Sequence, residues 1–471
     1  GIQSLFHQIG EMGLTIEEVD KLTGPVLGRP KSATFRTVDV VGLDTLIHIS
    51  NSLAKNLPDD ECNHLFAIPD FISTMLENNW LGSKTEQGFY KRIKNEKGKS
   101  EILTLDLTSM EYRPKKNASF ATLEKTKAID SVKERIPILV NGSDKAGDFY
   151  RKNFSGLFGY IQNRIPEISD ELYRIDDAMK AGFGWELGPF EIWDAMGVAE
   201  GIELMKSEGI QIATWLEKFI SDGNTHFYKT KQGIVHYYDI PSSTYIVKPG
   251  QESFIILDSL RDDKTVWSNK DSIVTDLGDG ILNLEFRTKM NTLGEGVLQG
   301  LNKSIDIAEK DFQGLVIGNQ GANFSAGANI GMIFMMAVEQ EYEELNMAIK
   351  IFQDTVMRLR YSSIPTVAAP HGLTLGGGCE ISMHADKVVA AAETYMGLVE
   401  FGVGVIPGGG GSKEMTLRAS DMFQKNDVEL NVLQEYFLAI GTAKVSTSAY
   451  EAYDFGVLQK HKDIVVVNNN R

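Results

Sequence analysis

The sequence has 471 residues, of which 42% are apolar and 24% charged. That is ordinary globular usage, and it excludes a disordered or collagen-like chain. Forty-seven basic against 64 acidic side chains leave a net charge of -17; the densest basic stretch, Lys91 to Lys99, is broken by Asn95 and Glu96, so neither nucleic acid nor an anionic membrane surface is an expected partner.

Two cysteines, Cys62 and Cys379, exclude a disulfide framework and a paired-cysteine zinc site. No metal is expected, and the usage fits a reducing, cytoplasmic setting. No apolar run is long enough to span a bilayer, and no signal peptide is present. At roughly 100–200 residues per domain, the length predicts about three domains, or two large ones. Gly1 lies inside what reads as an amphipathic helix, and Arg471 follows a strand-like run, Ile464–Val467. Both ends read as cut from a longer polypeptide.

The first 245 residues lean helical. Thr15 and Glu18 have capping-box spacing. Apolar residues recur at helical intervals from Val38 to Leu57 and from Phe71 to Leu81, with Gly24-Pro25 and Arg29-Pro30 as punctuation. An internal repeat is visible. Asp20, Gly28 and the turn Val38–Gly42 recur as Asp176, Gly184 and Trp193–Gly197, and Gly88-Phe89-Tyr90-Lys91 recurs as His226-Phe227-Tyr228-Lys229. A turn-rich seam follows at Asp239–Gln251. Beyond it, apolar strand-like runs (Phe254–Leu257, Ile281–Phe286, Gly314–Ile317, Lys387–Ala391) alternate with helical stretches (Leu293–Glu309, Gln340–Arg360, Cys379–His384), which predicts an α/β domain.

Two glycine-rich turns there stand next to carboxylates. Gly376-Gly377-Gly378-Cys379-Glu380 opens a helix, whose unpaired first-turn amides and dipole favour negative charge. Glu400 lies in the apolar, glycine-rich segment Tyr395–Gly408, where burial would raise its pKa into a useful range for an acid. In a third segment, Asn319–Ile330, the small residues Ala326, Gly327 and Ala328 also let backbone amides approach a ligand. Gly408–Gly411 followed by Ser412-Lys413 is not a P-loop. Cys379 reads as a small buried residue and His371 as a structural one. Met332, Met335 and Met336 fit either an acyl-chain pocket or helix packing.

Taken together, Phe324–Ala328, Gly376–Glu380, Glu400 and Ile406-Pro407-Gly408 closely resemble the crotonase (enoyl-CoA hydratase/isomerase) superfamily over roughly residues 270–460. Asp276–Ile281 and Lys289–Leu293 resemble that family's first strand and turn. Asn329 departs from the family's usual Asp. The resemblance implies that the backbone amides of Ala328 and Gly377 form an oxyanion hole for a thioester carbonyl. It also implies that Glu380 and Glu400 jointly hold a water that adds to a trans-2-enoyl-CoA. Farther upstream, Gly28–Ser32, Asp39–Asp44 and Lys84–Tyr90 resemble the helical C-terminal domain of 3-hydroxyacyl-CoA dehydrogenases, and Gly182–Glu191 resembles a second copy.

The expected architecture is therefore multidomain. Two mainly α-helical dehydrogenase C-terminal-type domains, over 1–115 and 116–245, precede an α/β crotonase-like (ββα spiral) domain over 250–471. The resemblance implies part of a bifunctional fatty-acid β-oxidation enzyme that takes an acyl-CoA thioester and works as a homo-oligomer. It implies NAD for the parent protein and, beyond the CoA thioester, no cofactor for this chain, since no GxGxxG follows a strand here. Two alternatives stand beside hydration: an enoyl-CoA isomerase, and a non-catalytic CoA-binding module attached to a dehydrogenase.

Overall fold

The computed structural model describes residues 1–94, 98–129, 131–231, 233–251, 254–424, 428 and 430–467. Asn95, Glu96 and Arg471 lie outside the described residues. The chain divides into two compact units, Gly1–Lys229 with Val235–Lys248, and Thr230–Ile234 with Pro249–Arg471. Among the described residues no helix is long and apolar enough to cross a membrane.

The first unit runs through one sequence of elements and then repeats most of it. The first half holds α1 (Ile2–Glu11), α2 (Ile16–Thr23), α3 (Phe35–Val41), α4 (Leu43–Asn56), α5 (Asp70–Glu77) and the antiparallel strands β1 (Tyr90–Lys94), β2 (Ser100–Asp106) and β3 (Glu111–Pro114). Two connecting helices, α6 (Ala121–Thr126) and α7 (Val132–Val140), lead into the second half. That half holds α8 (Lys145–Gln162), α9 (Leu172–Phe183), α10 (Pro189–Met196), α11 (Val198–Ser207), α12 (Thr214–Ser221) and a second three-stranded sheet, β4 (Tyr228–Lys231), β5 (Ile234–Asp239) and β6 (Thr244–Val247). The capping box at Thr15 is present: the Thr15 amide donates to Glu18 at 2.8 Å and the Glu18 amide to Thr15 Oγ1 at 3.3 Å. The helical run expected from Val38 to Leu57 is two helices, because Gly42 adopts φ +101° between α3 and α4.

One buried and one half-buried aspartate organise each half in the same way. In the first, Asp20 accepts from the amides of Thr34, Phe35 and Arg36 and from the Tyr90 hydroxyl at 2.7 Å. Asp39 accepts from the amides of Phe89 and Tyr90 at 2.8 and 2.9 Å. In the second, Asp176 accepts from Phe190 and Glu191 amides at 2.8 and 3.2 Å and from the Tyr228 hydroxyl at 2.6 Å. Asp194 accepts from Phe227 and Tyr228 amides at 2.6 and 2.9 Å. A helix start and the first strand of each sheet are thus tied by carboxylates that satisfy amides with no other partner at hand. One hydrophobic core serves both halves, running from Leu5 and Phe35 through Phe154 and Phe158 to Trp193 and Tyr238.

The second unit begins with α13 (Leu257–Lys264). The strand expected at Phe254–Leu257 does not form. The Gln320 side chain takes the backbone instead, accepting from the Leu257 amide at 2.7 Å and donating to the Ile255 carbonyl at 2.6 Å. The remaining elements are β7 (Thr265–Ser268), β8 (Ser272–Gly278), β9 (Ile281–Phe286), α14 (Glu295–Asp311), β10 (Gly314–Ile317), α15 (Ile330–Val338), α16 (Tyr342–Arg360), β11 (Thr366–Ala368), β12 (Gly372–Leu375), α17 (Gly377–His384), β13 (Lys387–Ala391), β14 (Thr394–Gly397), α18 (Gly411–Met422), α19 (Leu430–Gly441), α20 (Ala449–Asp454) and β15 (Ile464–Val466). Seven strands form one sheet in the order β15-β13-β11-β10-β9-β8-β7, antiparallel from β7 to β9 and parallel from β9 to β15. β12 and β14 form a separate parallel pair. Helix α15 buries none of its residues: Met332 is 48% and Met335 52% exposed. Met336 is half-buried, so the helix-packing reading fails for the first two methionines only.

The fold predicts a specific weak point. Asp176→Ala strands two buried amides and a buried hydroxyl, each costing about 1–3 kcal/mol. Urea unfolding followed by far-UV circular dichroism is expected to show a loss of about 3 kcal/mol or more, against about 0.5 kcal/mol or less for the neighbouring, more exposed Asp177→Ala. Equal losses for the two would contradict the role given to Asp176.

Candidate active site

The site is built where β12 and β14 end side by side. Their parallel register pairs Leu375 with Gly397, and the Gly376 amide donates to the Gly397 carbonyl at 2.9 Å. The chain leaves β12 through Gly376, at φ +51°, directly into α17. It leaves β14 into a 3₁₀ turn that starts at Glu400. Paired strand ends therefore bring Glu380, in the first turn of α17, to the same place as Glu400. A Cβ on Gly376 would come 3.1 Å from Glu400 Oε1, so only glycine lets the two chains meet this closely.

The loop before α15 completes the site. Ser325 joins the edge of β12: its amide donates to the Leu373 carbonyl and its carbonyl accepts from the Leu375 amide, both at 3.0 Å. Its hydroxyl donates to the Asn291 carbonyl at 2.7 Å and receives the Gly327 amide at 3.1 Å. Gly327, at φ +92°, lies against Gly377: a Cβ there would be 3.5 Å from the Gly377 nitrogen. The Leu293 amide holds the Gly327 carbonyl at 2.8 Å, which sets the next residue, Ala328. Gly377 is the first residue of α17, where an amide has no partner within the helix. Asn329 then caps α15 through its side chain.

The two carboxyl groups differ in their surroundings. Glu380 is buried and accepts from the Gly411 amide at 2.8 Å, at the start of α18. Both Glu400 oxygens are buried with no hydrogen-bond partner among the described residues. Burial, then the charge of Glu400, pushes Glu380 up to about 8 against the pull of the Gly411 and Gly409 amides. Burial pushes Glu400 up to about 7. Two raised carboxyl groups in one place hold a proton near neutrality. The shifts alone make Glu380 the weaker acid, yet its second cause is the charge on Glu400 and vanishes once Glu400 is protonated. The donors then decide: the anion belongs on Glu380, where amides and a helix N-terminus receive it, and the proton on Glu400.

Several residues at the site had no signal in the sequence. A Cβ at Gly409 would run into Glu380 Oε2 and the Phe352 ring, and one at Gly377 would meet Leu293 at 2.8 Å and Phe352 at 3.1 Å. Phe352 comes from α16, far away along the chain. His384 points its Nδ1 at the Glu380 carbonyl at 2.7 Å, and burial lowers its pKa to about 4. Its Nε2 receives the Lys413 ammonium at 3.1 Å. Cys379 is fully buried, and burial pushes its thiol well up, the state of an inert core cysteine. His371 Nε2 meets the Gly321 carbonyl at 2.7 Å, a structural contact. Among the described residues no cluster of His, Cys, Asp and Glu could hold a metal ion.

Comparison with known proteins follows this division. The family model for enoyl-CoA hydratase/isomerase matches residues 278–422, a span that includes Ala328, Gly377, Glu380 and Glu400. The model for the 3-hydroxyacyl-CoA dehydrogenase C-terminal domain matches residues 2–92. A Bacillus subtilis protein named "Probable 3-hydroxyacyl-CoA dehydrogenase" is 40% identical over all of this chain, and a Rickettsia felis protein named "Putative fatty acid oxidation complex trifunctional enzyme" is 29% identical over 94% of it. The chain spans 59% and 56% of the length of these two relatives. A solved enoyl-CoA hydratase from Bacillus anthracis is 23% identical and covers 42% of this chain, with 70% of its own length covered and a TM-score of 0.35. The chain is thus similar to the 3-hydroxyacyl-CoA dehydrogenase C-terminal domain over residues 2–92 and to the enoyl-CoA hydratase/isomerase family over residues 278–422.

Proposed function

We propose that this chain adds water across the double bond of a trans-2-enoyl-CoA to give a 3-hydroxyacyl-CoA. The observation that carries the reading is the carboxyl pair: Glu380 capped by amides, Glu400 unpartnered, both buried at the junction of two strand ends. In the reaction, Glu380 takes a proton from water as its oxygen bonds to C3. The π pair of C2=C3 shifts to C1=C2 as the carbonyl π pair moves onto the thioester oxygen, giving an enolate whose charge the Ala328 and Gly377 amides receive. Glu400 then delivers its proton to C2. Preorganised amides of this kind are worth several kcal/mol because they are aimed where charge develops. Two carboxyl groups of opposite protonation divide the acid and base work.

The product is a secondary alcohol β to a thioester, the substrate of a 3-hydroxyacyl-CoA dehydrogenase. We assign that oxidation, with NAD, to the whole protein rather than to this chain. The glycine-rich turns here do not fit a dinucleotide: they lie against Glu380, Glu400 and Phe352, where carboxylates would repel a pyrophosphate.

Hydration is read from the loss of enoyl-thioester absorbance with a short trans-2-enoyl-CoA. Glu380→Gln and Glu400→Gln are each expected to lower turnover by about 10²–10⁴-fold. An isomerase needs one acid/base, so near-normal turnover in either variant would favour that chemistry. Thioester binding with no turnover by the full-length protein would leave a binding module. The shared proton gives a second test. In ¹³C-labelled protein, Glu380→Gln removes the charge that stands beside the protonated Glu400, and the Glu400 carboxyl resonance is expected to titrate at lower pH than in the parent. An unchanged midpoint would show that the two groups are not coupled.

A further inference from the structure

We propose that His384 is a positioning residue for hydration: it locks the Gly409–Gly411 loop onto Glu380, so that the Gly411 amide stays on the carboxylate. The kinetic consequence rests on the hydration reading, whereas the link itself stands on contacts within the second unit.

His384 ends α17, four residues after Glu380, and is buried. A carbonyl only accepts, so the 2.7 Å contact between His384 Nδ1 and the Glu380 carbonyl places the ring proton on Nδ1. An ammonium only donates, so the 3.1 Å contact from Lys413 Nζ occupies the lone pair on Nε2. Two neighbours of fixed polarity thus select one neutral tautomer and one ring orientation. Burial acts in the same direction, holding the imidazole neutral with a pKa of about 4.

The ring in turn carries the loop. Gly410 has φ +114°, and a Cβ there would come 2.9 Å from His384 Cε1 and 3.0 Å from Nε2. The next residue, Gly411, donates its amide to Glu380 Oε1 at 2.8 Å. His384 therefore meets Glu380 twice, directly at its carbonyl and, through the loop lying on the ring, at its carboxylate. Lys413 closes the circuit from the first turn of α18. Buried Glu414 anchors that turn, accepting from Arg360 of α16 at 2.8 Å and pairing with Lys413 at 2.7 Å. Lys413 and Glu414 of α18 and Arg360 of α16 are the charged groups that act on His384, and Glu400 acts on Glu380. Packing alone would be served by an apolar side chain, because a buried imidazole is costly unless both nitrogens are bonded. Here both are bonded, one to the helix that bears Glu380 and one to the helix that bears its amide donor.

The test is titration of the Glu380 carboxyl by ¹³C NMR in the Glu400→Gln background, where that neighbouring charge is gone. His384→Leu keeps a neutral side chain in the core and removes both hydrogen bonds. The Gly411 and Gly409 amides hold the Glu380 pKa down. Their release is expected to raise the midpoint by about one pH unit, the worth of one hydrogen bond to a charged group. His384→Gln, with a donor and an acceptor on one planar group, is expected to return the midpoint towards the parent value. With Glu400 in place, His384→Leu is expected to lower kcat for enoyl-CoA hydration about tenfold at neutral pH and to move its acidic limb upward, with KM unchanged. An unmoved Glu380 midpoint in His384→Leu would overturn the proposal. Should the parent hydrate nothing, the hydration reading fails, and the titration, which needs no substrate, still decides the link. Should His384→Leu lose its circular dichroism spectrum, Lys413→Met, at an exposed residue, breaks the same link. The same rise is expected there, and its absence would overturn the proposal as well.

Discussion

The second unit depends on one close approach of backbone to its surroundings, at Gly376–Gly378. A side chain at Gly376 would press on Glu400, one at Gly377 on Leu293 at 2.8 Å, and one at Gly378 on Ser325 at 2.6 Å. The three contacts are three walls of the site: the second carboxyl group, the α14 approach and the loop that sets Ala328. Because nothing protrudes from the helix start, its free amides, its dipole and the two carboxyl groups share one small volume. The low polarity that raises both pKa values also strengthens every interaction inside it.

The helical unit solves a different problem with a repeated device. Each half must hold a helix start against a sheet edge, and each does so with a buried aspartate, a half-buried one and a tyrosine hydroxyl. The shared geometry makes the divergence informative. The aspartates and aromatic positions are kept in both halves because amides in the core need acceptors. The residues beside them are free to differ, and they differ in the sign of their charge.

Much of the architecture and the central pair was legible in the sequence. The triple glycine, Glu380 and Glu400 were visible because chemistry at a helix start needs those residue types close together along the chain. The repeat was visible because its glycines and aspartates mark special backbone positions. What was hidden came from residues far apart in sequence. Phe352 reaches the site from α16, and the Gly409 and Gly411 amides arrive by a loop whose glycines resembled a failed phosphate motif. The strand predicted at Phe254–Leu257 failed because a side-chain amide, which leaves no periodic trace, captured the backbone. The methionines of α15 fitted either an acyl-chain pocket or helix packing by composition, and Met332 and Met335 lie on the surface.

The common core of the two helical halves has a consequence for how the chain is made. Tyr150 donates to the Leu22 carbonyl at 2.9 Å, Lys145 to the Gly13 carbonyl at 2.5 Å, and Arg135 to the Val26 carbonyl at 3.3 Å. Leu22 itself is fully buried in a core that includes Phe149, Phe154 and Phe158. A ribosome adds about 5–20 residues per second, so the first half emerges several seconds before α8 is available to cover it. In that interval the apolar surface around Leu22 faces water or a chaperone. The nascent chain must stay soluble through a stage in which half of a core waits for its other half.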